Sequence, residues 1–466
     1  MENNTPSPKQ KALTINLDDS LYGTFAEIGA GQETARAFFQ AGGASGTIAK
    51  TISAYDMVFS DNLYGVSKSK RYVSRDRLLQ MLDAEYYTLN NVLSGNKKDN
   101  TRLFVFANTI SALNYRKDNF CHGWIGVRFQ ITPGSKPNDV ILHVRMHEND
   151  NLLQQKSLGI FGVNLIYACF FYYQRPNHFL KSLMDHLTTD RIEVDMINMR
   201  GPDMSYVDNR LLSVQLVKNK MTDVAMFDRN GDVQQPADVF YKKNVMVIRG
   251  SFRPITYVGF DMLKSGFALF KKDVGFDKKK TVVFCEITMR NLLKEGDFDE
   301  RDFLSRVDLL TGMGQNVMIS NFKEFYKLTD YLSQFNINHL RVVIGILTLT
   351  KILDENYYST LSGGILEALA RLFRKNTRLY VYPALDNKMT TDIRSLDNFE
   401  IPENIKHLFR HLIENQQMIP IKDVRHQILH IFSKDVLQKI KQKDPSWQSM
   451  VPVYIAKRIK EKKLFM

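Results

Sequence analysis

The feature that most constrains the fold is an alternation of short apolar runs with amphipathic stretches of helical spacing, from Arg191 to about residue 385. Strands that crossover helices bury on both faces are continuous Val- and Ile-rich runs, so this pattern is typical of a mainly parallel sheet. It predicts an α/β core and leaves open a doubly wound or a barrel-like sheet. The runs are IEVDMI, DVAMFD, NVMVIRG, TVVFCEIT, NVMIS, RVVIGIL and RLYVYPAL, with helices expected at 205–219, 256–270, 301–313, 322–334 and 359–374.

The residues before and after this stretch have a different composition and a different predicted secondary structure. Residues 1–12 are rich in Asn, Ser, Pro and Lys and predict a disordered tail, and residues 13–100 predict a mostly helical N-terminal unit. The α/β core is expected to occupy 101–400, and 401–466 to form a helical C-terminal extension. Helices outside the alternating stretch are predicted at 33–40, 47–58, 73–95, 151–173, 402–416, 422–442 and 450–464.

Composition narrows the class of protein. Of 466 residues 44% are hydrophobic, which suffices for a large core, and 63 Lys and Arg against 50 Asp and Glu give a formal charge of +13. No apolar run reaches the roughly 18 residues of a membrane-spanning helix, and the first residues have no apolar leader region. We therefore expect a cytoplasmic protein with no membrane partner. The three cysteines form no CxxC pair, which suits a reducing compartment.

Polar residues cluster at the expected carboxyl ends of four strands, where open sheets and barrels both build their sites. Arg249, Arg253 and Arg290 can bind phosphate or carboxylate through paired hydrogen bonds. Alanine at Arg249 and Arg253 is expected to abolish ligand binding with little effect on the melting temperature. The other ligand-binding candidates at these strand ends are Ser251, Asn291, Ser320 and Asn321.

Glu286 is the acid–base candidate among these strand ends. If the site is catalytic, arginine clamps favour transfer of a phosphate or nucleotidyl group, since such chemistry is mainly positioning and charge stabilisation. The alternative is that these residues cap helices and pair with Asp261 or Asp308. We predict a small phosphorylated or carboxylated ligand, with a nucleotide among the candidates, and the sequence specifies no cofactor.

A glycine-rich segment, EIGAGQ at 27–32, follows an apolar run and precedes a predicted helix. In such a context glycines let a phosphate or nucleoside approach the backbone, so Gly29 and Gly31 are ligand-binding candidates. The match to a dinucleotide fingerprint is partial, because Thr34 stands where a third glycine is needed. A methyltransferase-like loop fits as loosely, and close packing of a helix is the alternative.

Two HxxxH pairs, His407 with His411 and His426 with His430, would each place both imidazoles on one face of a helix. Neither pair has the glutamate of the HExxH motif, and we predict no metal site.

Cys121 precedes a predicted strand beside His122, and His143 lies on the next strand. A nucleophilic thiol would need an imidazole within hydrogen-bond reach, and only His143 is a candidate for that. We favour a structural role for all three residues.

Positive charge is concentrated at 68–77, 271–280 and 457–463. Basic segments with interleaved tyrosines can follow a nucleic-acid backbone, although no RNA- or DNA-binding motif accompanies them. The alternative function is therefore a non-enzymatic scaffold or polyanion-binding protein that acts through its basic helices.

Several long stretches are distinctive: LYGTFAEIGAGQETARAFF, CHGWIGVRFQ, VDNRLL, RGSFRP and SWQSMVPVYIAKRIKEKKLF. They resemble a family of bacterial cytoplasmic proteins, over nearly the whole chain, whose members are labelled TonB-dependent receptor or nicotinate/nicotinamide-nucleotide adenylyltransferase. A receptor of the first kind needs about 22 strands with outward apolar residues, which the sequence does not show. The second label implies a HxGH-type motif. CHGW at 121–124 is no substitute for it, so the resemblance transfers no catalytic residue.

Overall fold

The chain divides into two compact units, Met1–Ala225 and Met226–Met466. This division differs from the four segments expected from the sequence, because the stretch 101–400 contributes strands to two separate sheets. The structure is a computed structural model that describes residues 5–29, 31–67, 71–93, 99–293, 296–374, 376–385 and 392–466.

The first unit is built on a six-stranded mixed sheet in the order β2-β1-β3-β4-β5-β6. Its first three members in that order are parallel to one another, and the remaining neighbours are antiparallel. The strands are β1 (Leu21–Gly29), β2 (Ile48–Ile52), β3 (Arg102–Ser111), β4 (His122–Phe129), β5 (Asn138–Met146) and β6 (Ile192–Arg200). The helices are α1 (Pro8–Asn16), α2 (Glu33–Ala41), α3 (Met57–Tyr64), α4 (Arg75–Val92), α5 (Asn151–Phe171), α6 (Pro176–Leu183) and α7 (Asn209–Lys218).

The N-terminal segment differs from its prediction in two places. Helix α1 lies where a disordered tail was expected, because its buried Lys11 is held by Asp185 at 2.5 Å; residues 1–4 lie outside the described part of the chain. The helix predicted at 47–58 is wrong over β2, whose β-branched residues pair in parallel with β1. Pairing with a neighbouring strand here overrides the local pattern.

The second unit is built on an eight-stranded sheet in the order β16-β13-β12-β9-β10-β11-β7-β8. Its strands are β7 (Val224–Phe227), which begins in the first unit, β8 (Val233–Gln234), β9 (Asn244–Arg249), β10 (Thr281–Thr288), β11 (Asn316–Ser320), β12 (His339–Gly345), β13 (Thr377–Tyr382) and β16 (Met418–Pro420), with a separate antiparallel pair of β14 (Ala384–Leu385) and β15 (Ile393–Arg394). Its helices are α8 (Pro236–Phe240), α9 (Tyr257–Phe270), α10 (Met289–Leu292), α11 (Glu300–Thr311), α12 (Phe325–Ser333), α13 (Ile346–Ile352), α14 (Gly364–Leu372), α15 (Lys406–Glu414), α16 (Ser433–Lys441) and α17 (Val453–Lys462).

From β9 onward the chain adds parallel strands first on one side of β9 and then on the other. The chain first adds β10 and β11 on one side of β9, and it then places β12, β13 and β16 on the other side, all parallel to their neighbours. This is the doubly wound topology, and the sheet does not close into a barrel. The predicted α/β class with mainly parallel strands is confirmed, and the reversal lies between β9 and β12.

Within the described residues, the helices are too short or too polar to cross a lipid bilayer.

Candidate functional site

The carboxyl ends of β9 and β12 enclose a crevice of about 350 Å³ at the point where the winding reverses. Arg249 and Ser251 line it from the end of β9, and Gly345 lines it from the end of β12. Thr256 and Gly259 bring the first turn of α9 to the same crevice, because the Thr256 hydroxyl caps that helix. Apolar side chains form much of the remaining wall: Met262, Phe325, Val343, Leu347, Ile431 and Phe432.

Arg249 is fixed at this crevice by a two-point ion pair. Its Nε and Nη2 atoms each donate to a different carboxylate oxygen of Glu286 over 2.9 Å. Its Nη1 donates to the Lys323 carbonyl at 3.1 Å, and its guanidinium lies 4.1 Å from the centre of the Phe325 ring. Residues 249 and 286 are direct partners in the parallel ladder of β9 and β10, so the pairing follows from strand register.

Glu286 is fully buried, and both of its oxygens accept hydrogen bonds. The Ser320 hydroxyl supplies a third bond, to Oε1, at 2.6 Å. The predicted acid–base role of Glu286 stays a prediction, and the geometry supports a different part for it. Together with Ser320, it positions the Arg249 guanidinium at the crevice.

A second cavity, of about 580 Å³, adjoins the crevice and shares Ser251 and Ser433 with it. Arg253 and Asn291 line this cavity, so the residues predicted from the strand ends are divided between two neighbouring spaces. Asn291 donates from Nδ2 to the Gly250 carbonyl at 3.3 Å. The loop after β9 therefore separates the two spaces.

An arginine and an aspartate hold that loop in place. Asp302 pairs with Arg253 at 2.5 Å through one oxygen and with the buried Arg306 through the other. Arg306 in turn donates from Nη1 to the carbonyls of Ser251 and Asn291, at 3.2 Å each. These bonds tie the ends of β9 and β10 to α11.

Arg290 and Asn321 are exposed and do not line either cavity. Asp261 and Asp308, the alternative partners of the arginines, contact other residues in the structure. Asp261 accepts from the Tyr382 hydroxyl at 2.7 Å, and Asp308 pairs with Lys462 at 3.2 Å.

Gly29 and Gly31 lie in the first unit, at the carboxyl end of β1, and both are closely packed. A Cβ at Gly29 would lie 2.0 Å from the Ile110 carbonyl oxygen, and its φ of +79° is in the left-handed region. A Cβ at Gly31 would lie 2.0 Å from Asn108 Oδ1. This geometry favours the packing interpretation of the glycines; Ala30 lies outside the described residues.

The buried Glu27 side chain lies between these glycines and α2. It accepts from the Ala35 amide at 3.2 Å and from Asn108 Nδ2 at 3.1 Å, and Asn108 also donates to the Gly31 carbonyl. Burial raises the pKa of Glu27 from its ordinary 4.5 to about 8, while the hydrogen bonds from Ala35, Thr34 and Asn108 act in the opposite direction.

The raised pKa makes stability depend on pH. Because the folded state keeps a proton that the unfolded chain loses, the stabilisation is complete below pH 4.5 and is lost as the pH rises towards 8. We expect the free energy of unfolding to fall by about 3 kcal/mol between pH 5 and pH 8. In Glu27→Gln this part of the fall should vanish. Urea unfolding at both pH values measures the fall in the free energy of unfolding. Glu400→Gln, at an exposed residue, is the control. An equal fall in the two variants would contradict the assignment.

The two HxxxH pairs differ in structure. His407 and His411 lie on α15 and are exposed, whereas His426 begins a short 3₁₀ turn and shares no α-helix with His430. The helix predicted at 422–442 is confirmed only from Ser433 onward. The described residues contain no cluster of three or more His, Cys, Asp or Glu side chains able to hold a metal ion.

The basic segments carry partly neutralised charge. Lys278–Lys280 form an exposed 3₁₀ turn, whereas Lys457 and Arg458 on α17 both pair with Glu461. Residues 68–70 of the first basic segment lie outside the described residues.

Two residues with a place in these sites, Gly345 and Asn108, are not among the candidates expected from the sequence. Gly345 is the last residue of β12, within the run RVVIGIL, so the rule applied to the other strand ends would have included it. Asn108 follows the run LFVFA, but its contact with Glu27 depends on the register of β1 and β3. Nothing local in the sequence indicates that register.

No family model matches the chain, and the comparison with curated proteins gives no match. Among solved structures, the competence/damage inducible protein CihA from Agrobacterium tumefaciens is 18% identical, with a TM-score of 0.24 over 34% of this chain and 90% of its own. A competence-damaged protein (CinA) superfamily protein from Enterobacter cloacae is 14% identical, with a TM-score of 0.27 over 36% of this chain and 95% of its own. One from Escherichia coli is 14% identical, with a TM-score of 0.25 over 39% and 94%. Likeness of this degree carries no functional argument.

Proposed function

We propose that the second unit binds a small phosphorylated or carboxylated ligand in the crevice between β9 and β12, and that a nucleotide fits it best. The observation that carries this proposal is the position of the 350 Å³ crevice at the reversal of a doubly wound sheet. Ligands of such sheets bind outside the carboxyl ends of the strands at that point. A volume of this size is in the usual range for small-molecule sites.

The lining of the crevice suits a ligand with one anionic and one apolar part. Arg249 and the Ser251 hydroxyl supply donors on one side, and the amino end of α9 adds a favourable dipole for an anion. Phe325 and Phe432 offer ring faces to a flat apolar group such as a nucleobase.

The proposal covers binding, with group transfer as a second step that needs its own acid or base. Glu286 is already engaged by Arg249 and Ser320, so another group would have to supply the proton transfer. The three free, buried cysteines agree with a reducing compartment, and we extend the proposal to a cytoplasmic location on that basis.

Filling the crevice tests the proposal without removing a charge. An ideal Cβ at Gly345 meets no atom within 4 Å, and the residue has a φ of −81°, so Gly345→Phe should fold and occupy the crevice. We expect ATP or AMP binding, measured by calorimetry, to weaken at least 10-fold in this variant. Native mass spectra of the untagged protein should lose any co-purified nucleotide adduct in parallel.

The matched control is Gly46→Phe in the first unit, where an added Cβ also meets open space. It should bind as the unchanged protein does. Equal affinity of Gly345→Phe and the unchanged protein would remove the crevice from consideration. Retention on heparin that both variants keep, and that falls with salt, would favour the polyanion-binding alternative.

A further inference from the structure

Three side chains form a hydrogen-bonded chain across the antiparallel strands of the first unit. Asp195 on β6 lies 2.6 Å from His143 Nδ1 on β5, and His143 Nε2 lies 2.9 Å from His122 Nδ1 on β4. The chain therefore runs from a carboxylate through one imidazole to a second. Its order is that of a charge-relay system in which a histidine takes the place of the usual hydroxyl.

The three side chains of this hydrogen-bonded series are buried to different extents. Asp195 and His143 are only 3% and 2% exposed, whereas His122 is half-buried at the amino end of β4. Within the described residues, His122 Nε2 makes no hydrogen bond and is not one of the unpartnered atoms shut off from solvent. The hydrogen-bonded series therefore ends at His122 Nε2, which solvent can reach.

The hydrogen bonds determine which nitrogen carries a lone pair. An ionised Asp195 accepts the proton of His143 Nδ1, so a neutral His143 has its lone pair on Nε2. That lone pair accepts from Nδ1–H of His122, which leaves Nε2 of His122 without a proton. The outer nitrogen is then a free nucleophile or base.

The surroundings keep His122 neutral. Burial lowers its pKa to about 4, and positive charge on its neighbours acts in the same direction, from His143 when that ring is protonated and from Arg145 and Arg71. Arg145 is also the direct ladder partner of His122 and is paired with Glu193 on β6. The titratable neighbours on the adjacent strand β5 are thus His143 and Arg145, each paired with a carboxylate on β6.

We propose that His122 Nε2 is a nucleophile that accepts a phosphoryl group from a small anionic donor. The Nε2 lone pair attacks phosphorus, and the bond to the leaving group breaks with its electron pair. The Nδ1 proton of His122 moves to His143 Nε2, so the positive charge comes to rest on an imidazolium beside Asp195. Arg145, the direct ladder partner of His122, is the cation on the neighbouring strand that can stabilise the phosphoryl oxygens.

The first test measures nucleophilicity in the unchanged protein. Diethyl pyrocarbonate modifies neutral imidazoles, and peptide mass spectrometry reports the rate at each histidine. Between pH 7.5 and pH 5 a free imidazole, N-acetylhistidine added as internal standard, should lose about 30-fold in rate as it becomes protonated, whereas His122 should lose less than about twofold. Two results would overturn the proposal: a His122 rate that falls as steeply as the rate of the reference imidazole, or no reaction at His122.

The second test measures the transfer itself with phosphoramidate, which donates its phosphoryl group and releases ammonia. We expect a phosphoryl group on His122, detected by peptide mass and by ³¹P NMR, and none at that position in His122→Gln. Asp195→Asn keeps the side-chain shape and removes the carboxylate, and it should slow transfer to His122 at least about 10-fold.

His407 serves as the internal control, since its slow background labelling should be the same in every variant. Labelling of His122 that Asp195→Asn leaves unchanged would overturn the relay, and labelling spread evenly over the exposed histidines would overturn the site. Should Asp195→Asn fail to fold, the pH profile of the unchanged protein still decides, because it needs no substitution.

Discussion

Replacing Gly29 with alanine is expected to destabilise the first unit by more than about 4 kcal/mol. Two effects coincide at this residue. A φ of +79° is unfavourable for any residue with a Cβ, by about 1–3 kcal/mol. The added Cβ would also lie 2.0 Å from the Ile110 carbonyl oxygen, which is backbone of the neighbouring strand β3 and cannot move without breaking the ladder.

Gly42 separates these two effects. Its φ is +88°, yet an added Cβ meets no atom within 4 Å. Gly42→Ala should therefore show the backbone cost alone, about 1–3 kcal/mol. Urea unfolding followed by circular dichroism measures both variants. Equal losses would contradict the close approach of β1 and β3, and a fully stable Gly29→Ala would return the glycine to the list of ligand-binding candidates.

Replacing Arg249 with alanine is expected to cost about 3–5 kcal/mol in addition to any loss of ligand binding. The substitution leaves Glu286, which is fully buried, with the Ser320 hydroxyl as its remaining side-chain partner in the described structure. The sequence-based expectation that alanine here has little effect on the melting temperature stays a prediction, and the ion pair favours the opposite result. That expectation treated the guanidinium as held by the ligand, whereas the neighbouring strand holds it.

Neutralising the carboxyl group tests this explanation. Arg249→Ala combined with Glu286→Gln leaves no uncompensated buried charge, so the double variant should be more stable than Arg249→Ala alone. Arg253→Ala is the matched control, because Asp302 keeps its ion pair with Arg306. Thermal unfolding of the three variants settles the order. A double variant no more stable than the single one would show that Glu286 is not the source of the loss.

The elements of the second unit could be predicted well because they depend on local periodicity. The helix predicted at 256–270 is found at Tyr257–Phe270, and the runs NVMVIRG and TVVFCEIT are β9 and β10. Residues 48–52 were predicted as helix from their local pattern, whereas they form a strand by pairing with β1 on the other side of α2. Local pattern identifies elements, and it does not identify their partners.

The same limit explains what could be predicted of the site. The polar strand ends were visible in the sequence, and Arg249 and Ser251 do line the crevice. Two features could be recognised only once the strand order was known. Arg249 pairs with Glu286 on the neighbouring strand, and Gly345 lines the crevice on the side opposite Arg249. Sequence spacing does not reveal that β12, rather than β10 or β11, lies on the other side of β9.

The reversal of winding at β9 also sets a time order during synthesis. The two walls of the crevice are separated along the chain, since β9 ends at Arg249 and β12 begins at His339. A nascent chain that contains β9, β10 and β11 can pair these three strands, but the side of β9 that receives β12 stays an open edge until His339–Gly345 have been made. If the proposed ligand occupies the crevice, it can stabilise only chains in which His339–Gly345 have already joined the sheet, so it cannot assist the earlier stages of assembly.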